Sequence, residues 1–317
     1  MIVQHDRDGL EAAPPEGAVV SVGVFDGVHL GHQAILAANV REAGALGAVP
    51  TVVTFREHPK GVLLGRAPRT LTSLEHRLEL FRRAGIRRCV ALTFDEELRQ
   101  IEAERFTREF LVGTLGARRF VLGFDSKFGR NRDGTPDRLR ALGFDVVVVP
   151  QVIVSGSRPV SSTAIREAVE LGDLESAARM LGRPVAVYGD VVAGDGRGRT
   201  IGVPTANLDL HHELHPPPGV YACRARIVPR EGEVEDPLRR LAVANVGIRP
   251  TFAGNDGSKP SLPLVEVHLL DFAGDLYGRH LELEFLAFLR EERRFGGVDA
   301  LKSAIAADIE RARAVER

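Results

Sequence analysis

Cysteine is scarce in this chain. Two residues, Cys89 and Cys223, stand far apart, so there is no disulfide framework and no CxxC metal pair. That scarcity fits a reducing cytoplasm. Charge of one sign is lacking too. The formal net charge is -1, which leaves no global basic field for nucleic acid. Hydrophobic residues make up 44% of the chain. Even so, no apolar run approaches the ~20 residues that span a bilayer. The opening residues, MIVQHDRDGLEAAPPEG, are polar and carry no apolar signal core. Lysine is nearly missing, with four (Lys60, Lys127, Lys259, Lys302) among 42 basic side chains, a bias that says little about mechanism. No internal repeat is found. What remains is a cytosolic globular chain whose 317 residues suffice for two ordinary domains.

Two textures follow one another. In the first, apolar strands alternate with helices. Ala18 to Phe25 reads as a strand, Gly31 to about Leu46 as a helix, and Val49 to Phe55 as a second strand. SLEHRLELFRRAG starts at Ser73 as N-cap and stops at Gly85 as C-cap. RRCVALTF, RRFVLGF and FDVVVVPQ are further short apolar runs. This pattern predicts a doubly wound parallel sheet covered on both faces. Two short helices follow, broken near Gly172 and stopped by Pro184. Beyond that point period-two alternation with Gly and Pro punctuation predicts an antiparallel β-barrel. A terminal helix carries Val298, Leu301, Ile305 and Ile309 at helical spacing. The chain is therefore expected to be α/β, with domains over 1–182 and 183–317. HHELHPPPGV reads as a solvated loop, since no carboxylate or thiol cluster nearby in sequence completes a metal set for its histidines.

The stretch GVFDGVHLGH, at a strand-to-helix junction, carries two histidines three residues apart. Unpaired N–H groups in a first helical turn attract anions, and the helix dipole adds to this. Gly27 and Gly31 let the backbone turn and come close to a ligand. His29 and His32 can point the same way and donate hydrogen bonds to phosphate oxygens. The plain alternative is two polar residues in a surface loop.

The motifs together resemble a known family. GVFDGVHLGH is similar to the HxGH nucleotidyltransferase signature in its FMN adenylyltransferase form. VSSTAIRE resembles the second, phosphate-binding signature, and GRTIGVPTANL resembles the metal–ATP motif of riboflavin kinases. NVGIRPTF, VEVHLLDF and DLYG follow in the order of the same kinases. The whole resembles the prokaryotic bifunctional riboflavin kinase/FMN adenylyltransferases, from about Val20 to about Asp308. The resemblance implies ATP, riboflavin and FMN as substrates, Mg²⁺ as cofactor, and no nucleic-acid or membrane partner. His29 and His32 would be catalytic and hold ATP phosphates, with Gly23, Phe25, Asp26 and Gly31 among the ATP-binding residues. Ser162 and Thr163 can cap the helix they begin and also bind phosphate, Arg166 would supply a planar cation for the departing pyrophosphate, and Asp125 would contact the flavin side or the adenine-side loop. Ser126 stands where the family carries an aromatic residue, and Glu57 where a proline before His58 is common. An isolated His58 reads as an ordinary turn residue.

In the second module, Thr205 and Asn207 lie at period two, so an extended segment turns both to one side, where they can hold Mg²⁺ and phosphates. Gly194, Gly196, Gly198 and Gly202 suit a loop over phosphates, and the resemblance puts Gly198 among the ATP-binding residues. By spacing alone Glu266, which shares a strand face with His268, is a solvated surface residue. The resemblance makes it the catalytic base. Arg290 and Glu291, in FLREERRF, match the segment near the flavin. Three readings stay open: a bifunctional enzyme, an enzyme with one live module, and a flavin-binding regulator without turnover. The nucleotidyltransferase signature alone also admits nicotinate mononucleotide or phosphopantetheine as acceptor.

Overall fold

The computed structural model describes the chain except residues 8, 155–158, 194–197, 199–200, 211–212, 231, 234–235, 237, 249–262 and 317. Two compact units result, Met1–Ala164 and Ile165–Arg317.

The first unit runs β1 (Ile2–His5), β2 (Ala18–Val22), α1 (Leu30–Leu46), β3 (Val49–Phe55), α2 (Lys60–Leu64), α3 (Leu74–Arg83), β4 (Arg88–Leu92), α4 (Glu96–Gln100), α5 (Ala103–Arg105), β5 (Ala117–Gly123), α6 (Pro136–Ala141) and β6 (Val146–Val149). α5 continues into a π-helical segment, Phe106–Thr114. The strands lie in the order β1-β4-β3-β2-β5-β6, and every neighbouring pair is parallel. From β2 the chain winds one way to β3 and β4, then crosses to β5 and β6. The reversal falls between β2 and β5, where such a sheet opens a crevice beyond its carboxyl ends.

The near-continuous apolar strands follow from burial on both faces. Val20 and Val22 pack with Phe106, Phe110 and Leu139. Val19 packs with Ala38 of α1, while Val52 and Cys89 pack with Leu36 and Phe81. Each such side chain contributes roughly 1.5–3 kcal/mol by leaving water. One polar residue sets the position of α1 on the sheet. Asn39 is fully buried, and its Nδ2 lies 3.1 Å from the Val19 carbonyl, 2.9 Å from Ser21 Oγ and 3.1 Å from the Thr51 carbonyl. Ser21 Oγ in turn donates to the Val121 carbonyl at 2.8 Å. The helix is thereby tied to β2, β3 and β5.

Two boundaries differ from expectation. The strand expected to reach Phe25 ends at Val22, because Phe25 adopts φ 53 and turns the chain. Ser73 caps α3 as expected, accepting from His76 N at 3.2 Å, but the C-cap is Ala84, with Gly85 in the left-handed region one residue later.

Helix α7 (Ser162–Glu170) spans the division between the units. The second unit continues with α8 (Leu174–Leu181), β7 (Val185–Val192), β8 (Ala206–Asp209), β9 (Gly219–Val228), β10 (Arg240–Ile248), β11 (Pro263–Leu269), β12 (His280–Arg290) and α9 (Val298–Glu316). Its strands close an antiparallel barrel in the order β10-β11-β8-β7-β12-β9. Leu208, Val265, Val267, Leu281 and Leu283, each at most 2% exposed, alternate with polar residues that face outward. Against the outside lies α9, where Ala312 and Ile309 meet Val220, Ala222 and Val243.

The seam of α9 differs from the expected stripe. Val298 is 54% exposed, whereas Asp308 is 1% exposed beside Ala304 and Ala312. Asp308 is buried because Arg290 of β12 donates to both its oxygens, Nη2 at 2.8 Å and Nε at 3.0 and 3.2 Å. The expected solvated loop around HHELHPPPGV is also corrected. Glu213 is fully buried there, and its carboxylate accepts from Tyr188 N at 2.8 Å. Both cysteines are free and buried, and burial pushes the Cys89 thiol up to about 12 and the Cys223 thiol well above its ordinary value. No helix among the described residues is long and apolar enough to cross a membrane.

Asn39→Ala removes a side chain bonded directly to β2 and β3 and, through Ser21, to β5. It is expected to lower stability by about 2 kcal/mol, read as a lower urea midpoint. An unchanged midpoint would mean that the network adds no net stability.

Candidate active sites

Residues 23–29 link β2 to α1 at the crevice. Three of them, Phe25 (φ 53), Gly27 (φ 80) and Val28 (φ 39), lie in the left-handed region. Val28 is β-branched, so its conformation is strained and needs outside support. His29 is the N-cap of α1, and its Nδ1 accepts from His32 N at 3.3 Å. The two imidazoles stack at 3.6 Å with planes 17° apart, and the Phe25 ring meets His32 edge-on at 5.2 Å. A Cβ on Gly31 would come within 3.2 Å of the His29 ring, so glycine is what lets that ring lie over the helix start.

Support comes from a buried carboxylate and a buried guanidinium. Asp26, 3% exposed, accepts from Leu71 N at 2.9 Å and Thr72 N at 3.2 Å. Gly27 N donates to Thr72 Oγ1 at 2.9 Å. Arg77 of α3, also 3% exposed, donates to the carbonyls of Val24 at 2.7 Å and Phe55 at 2.9 Å and to Thr54 Oγ1 at 3.1 Å. It thus caps the carboxyl ends of β2 and β3. Sequence reasoning missed Arg77. Its only signal is a cation inside the buried stripe His76, Arg77, Leu80 and Phe81.

The second signature reaches the first through Ser162, whose Oγ donates to the Asp26 carbonyl at 2.9 Å. Ser161 Oγ accepts from Ala164 N at 3.2 Å. Thr163 is exposed, and Arg166 lies one turn beyond Ser162 on the same helix. Phe124 and Asp125 stand just past β5, both exposed. Ser126 N donates to the Gly123 carbonyl at 3.1 Å, closing a turn at the position of the missing aromatic. His58 Nδ1 accepts from Lys60 N at 3.1 Å in the turn before α2. A cavity of 640 Å³ elsewhere in this unit has Ile101, Phe106, Phe110, Arg7, Arg105 and Arg130 among its lining residues, and none of the expected site residues. Each of those arginines is paired with a glutamate.

In the barrel, Glu266 of β11 lies directly opposite Asn207 of β8 on one side and Asn245 of β10 on the other. Directly opposed residues put their Cβ atoms about 4.5–5.5 Å apart on one face. Asn207 is 7% exposed, and its Oδ1 is buried without a hydrogen-bond partner among the described residues. Thr205, one residue before β8, is exposed, and a Cβ on Gly198 would lie 3.0 Å from its Oγ1. That cradle closes through Val203 N, which donates to the Gly198 carbonyl at 2.9 Å. Gly194, Gly196 and residues 249–252 of NVGIRPTF fall outside the described residues. His268 Nδ1 lies 2.7 Å from the Pro204 carbonyl. Arg290 is held by Asp308, and Glu291 is exposed. Sequence reasoning missed Asn245 and Glu292, joined at 2.8 Å from Nδ2 to Oε1. No group of three or more metal-ligating His, Cys, Asp or Glu occurs among the described residues.

The FAD synthetase family matches residues 11–164 and the riboflavin kinase family residues 181–316. A bifunctional riboflavin kinase/FMN adenylyltransferase of Pseudomonas fluorescens is 41% identical, with 97% of this chain and 96% of that one covered. The protein of the same name from Escherichia coli K12 is 38% identical, covering 94% and 93%. A crystal structure described as a macrolide-efflux protein from Streptococcus pneumoniae superposes with a TM-score of 0.81 at 30% identity, covering 99% of each chain. With an α/β nucleotidyltransferase unit, an antiparallel barrel and this identity along nearly its whole length, the chain belongs to the bifunctional riboflavin kinase/FMN adenylyltransferase family, the enzymes that phosphorylate riboflavin to FMN and adenylylate FMN to FAD.

Proposed function

We propose that FMN is adenylylated at the β2–α1 junction and riboflavin phosphorylated on the outer face of the barrel at Asn207 and Glu266. The observation that carries this reading is the convergence of reactive side chains in each unit, stacked histidines on a helix start in one and an acceptor row in the other. In the first reaction an FMN phosphate oxygen attacks the α-phosphorus of ATP and pyrophosphate leaves. The nucleophile is already an anion, so the site positions it and stabilises charge. Because His29 Nδ1 accepts from His32 N, its proton sits on Nε2, which is then the donor to phosphate. His32 adds the second ring. Ser162, Thr163 and Arg166 receive the pyrophosphate, while Gly23, Phe25, Gly31 and the inward-turned Asp26 shape the loop.

In the second reaction the riboflavin 5′-hydroxyl attacks the γ-phosphorus and ADP leaves. Glu266 accepts the hydroxyl proton. Thr205 Oγ1 and Asn207 Oδ1 fit Mg²⁺, being neutral oxygen donors of which the second has no other partner among the described residues. When bound, the ion neutralises phosphate charge. Asp125, Arg290 and Glu291 are assigned to the flavin side of the two sites. We place the enzyme in the cytoplasm, in keeping with its two free thiols, and the functional boundary at 182/183.

His29→Ala and His32→Ala are expected to slow FAD formation by about 10²–10³ and to leave riboflavin phosphorylation near normal. Equal loss of both activities would point to a folding role. Glu266→Gln keeps the side-chain size and removes the basicity. It should cut FMN formation by about 10²–10⁴, or roughly 3–5 kcal/mol of barrier, with an unchanged melt. Turnover near that of the parent enzyme would return Glu266 to an ordinary strand residue. A fragment from Arg183 to Arg317 should make FMN from riboflavin and no FAD from FMN. A fragment that melts cooperatively but lacks kinase activity would show the boundary to be misplaced.

A further inference from the structure

We propose that Asn245, oriented by Glu292, recognises the polyol chain of the flavin beside the hydroxyl that is phosphorylated. The inference rests on the reading of Glu266 as the base at the phosphoryl-acceptor site. It begins with the row Asn207, Glu266, Asn245, three residues directly opposed on neighbouring antiparallel strands. The phosphate and metal end of that row is Asn207, next to Thr205. In phosphoryl transfer the attacking oxygen lies between phosphorus and its own carbon chain. An oxygen at Glu266 with phosphorus toward Asn207 therefore sends its carbon chain toward Asn245. One strand spacing, about 4.8 Å, is the scale on which the next hydroxyls of a vicinal polyol follow.

What Asn245 offers there is an acceptor. A carboxylate only accepts, so the Asn245 edge facing Glu292 Oε1 at 2.8 Å must be its NH₂ group. That contact leaves Oδ1 on the opposite edge, where it is buried with no partner among the described residues. Glu292 itself is seated on the strand, because a Cβ on Gly247 would lie 2.7 Å from its Oε1. Beyond Asn245 the row ends at Val220, which is covered by α9. A buried acceptor with no donor among the described residues, in line with a base, fits a hydroxyl-bearing chain. A site built to bond a hydroxyl rejects the analogue that lacks it far more strongly than an apolar site would.

The test compares the full-length enzyme on riboflavin and on a flavin with a 5-hydroxypentyl chain, which keeps the terminal hydroxyl and lacks the secondary ones. The parent enzyme should favour riboflavin at least tenfold in kinase kcat/KM. In Asn245→Leu the riboflavin value should fall to that of the hydroxypentyl flavin, which itself should change less than about threefold. If Asn245→Leu fails to melt cooperatively, the swap decides. Asn245→Asp should lose discrimination by placing two carboxylates together. Asn245→Asp combined with Glu292→Gln should restore it, since the amide introduced at position 292 then donates to the carboxylate introduced at position 245. Undiminished discrimination in Asn245→Leu, equal loss on both flavins, or no rescue by the swap would overturn the proposal. Parent enzyme that phosphorylates both flavins equally would also overturn it while leaving Glu266 in place. Parent enzyme that phosphorylates neither would remove the kinase reading itself.

Discussion

Asp26 accepts hydrogen bonds from the amides of Leu71 and Thr72 while nearly cut off from solvent, and the conformation of the whole strand-to-helix loop rests on that contact. The loop holds Phe25 and Val28 at positive φ, a cost of order 1–3 kcal/mol per residue. Hydrogen bonds to a charged group contribute about 1.5–3 kcal/mol each, so two of them are of the size needed to offset it. Thr72, Arg77 and Ser162 add bonds to Gly27 N and to the carbonyls of Val24 and Asp26. With the loop fixed, His29 has one orientation over the helix start and His32 stacks on it. In the proposed reaction the two rings would act on developing charge without reorganising.

The barrel reaches its arrangement by another route. No clamp is needed to bring Asn207, Glu266 and Asn245 together, because register alone opposes them. A slip by one residue would turn Leu208, Val265 and Val267 out of the core. The apolar pattern that closes the barrel thus also sets the polar row outside it. In the proposed reading this is how a strand glutamate with no distinguishing composition becomes a base: its polar neighbours are supplied by the two adjacent strands.

That difference explains what could be read from the residues alone. The Gly31 and His29 pattern, the Ser73 cap and the period-two alternation after Pro184 are local signals, and each element was legible from its own stretch. Arg77, Asn245 and Glu292 were not. A cation on a helix or an amide on a strand looks the same whether it meets water or a partner far along the chain, and Arg77 meets Val24 while Asn245 meets Glu292. The seam of α9 misled for the same reason. Asp308 counts as polar in any helical projection, yet it is buried by Arg290. The end of β2 was hidden by Phe25, apolar like a strand residue but placed at φ 53.

The two proposed sites are opposite in hydrogen-bonding sense, as the two reactions ask. Phosphorylation starts from a neutral hydroxyl, which must give up a proton, and the barrel presents acceptors: Asn207 Oδ1, Glu266 and Asn245 Oδ1. Adenylylation starts from the phosphate so formed, already anionic, and in the proposed reading the first unit offers donors at a helix start, the rings of His29 and His32 and the hydroxyl of Thr163. In that reading an acceptor row suits the alcohol better than the phosphorylated product. A donor cluster binds that same product and has little to offer the alcohol. On the proposed site assignment, the sign of the groups lining each site favours the order riboflavin, FMN, FAD without requiring any contact between the sites.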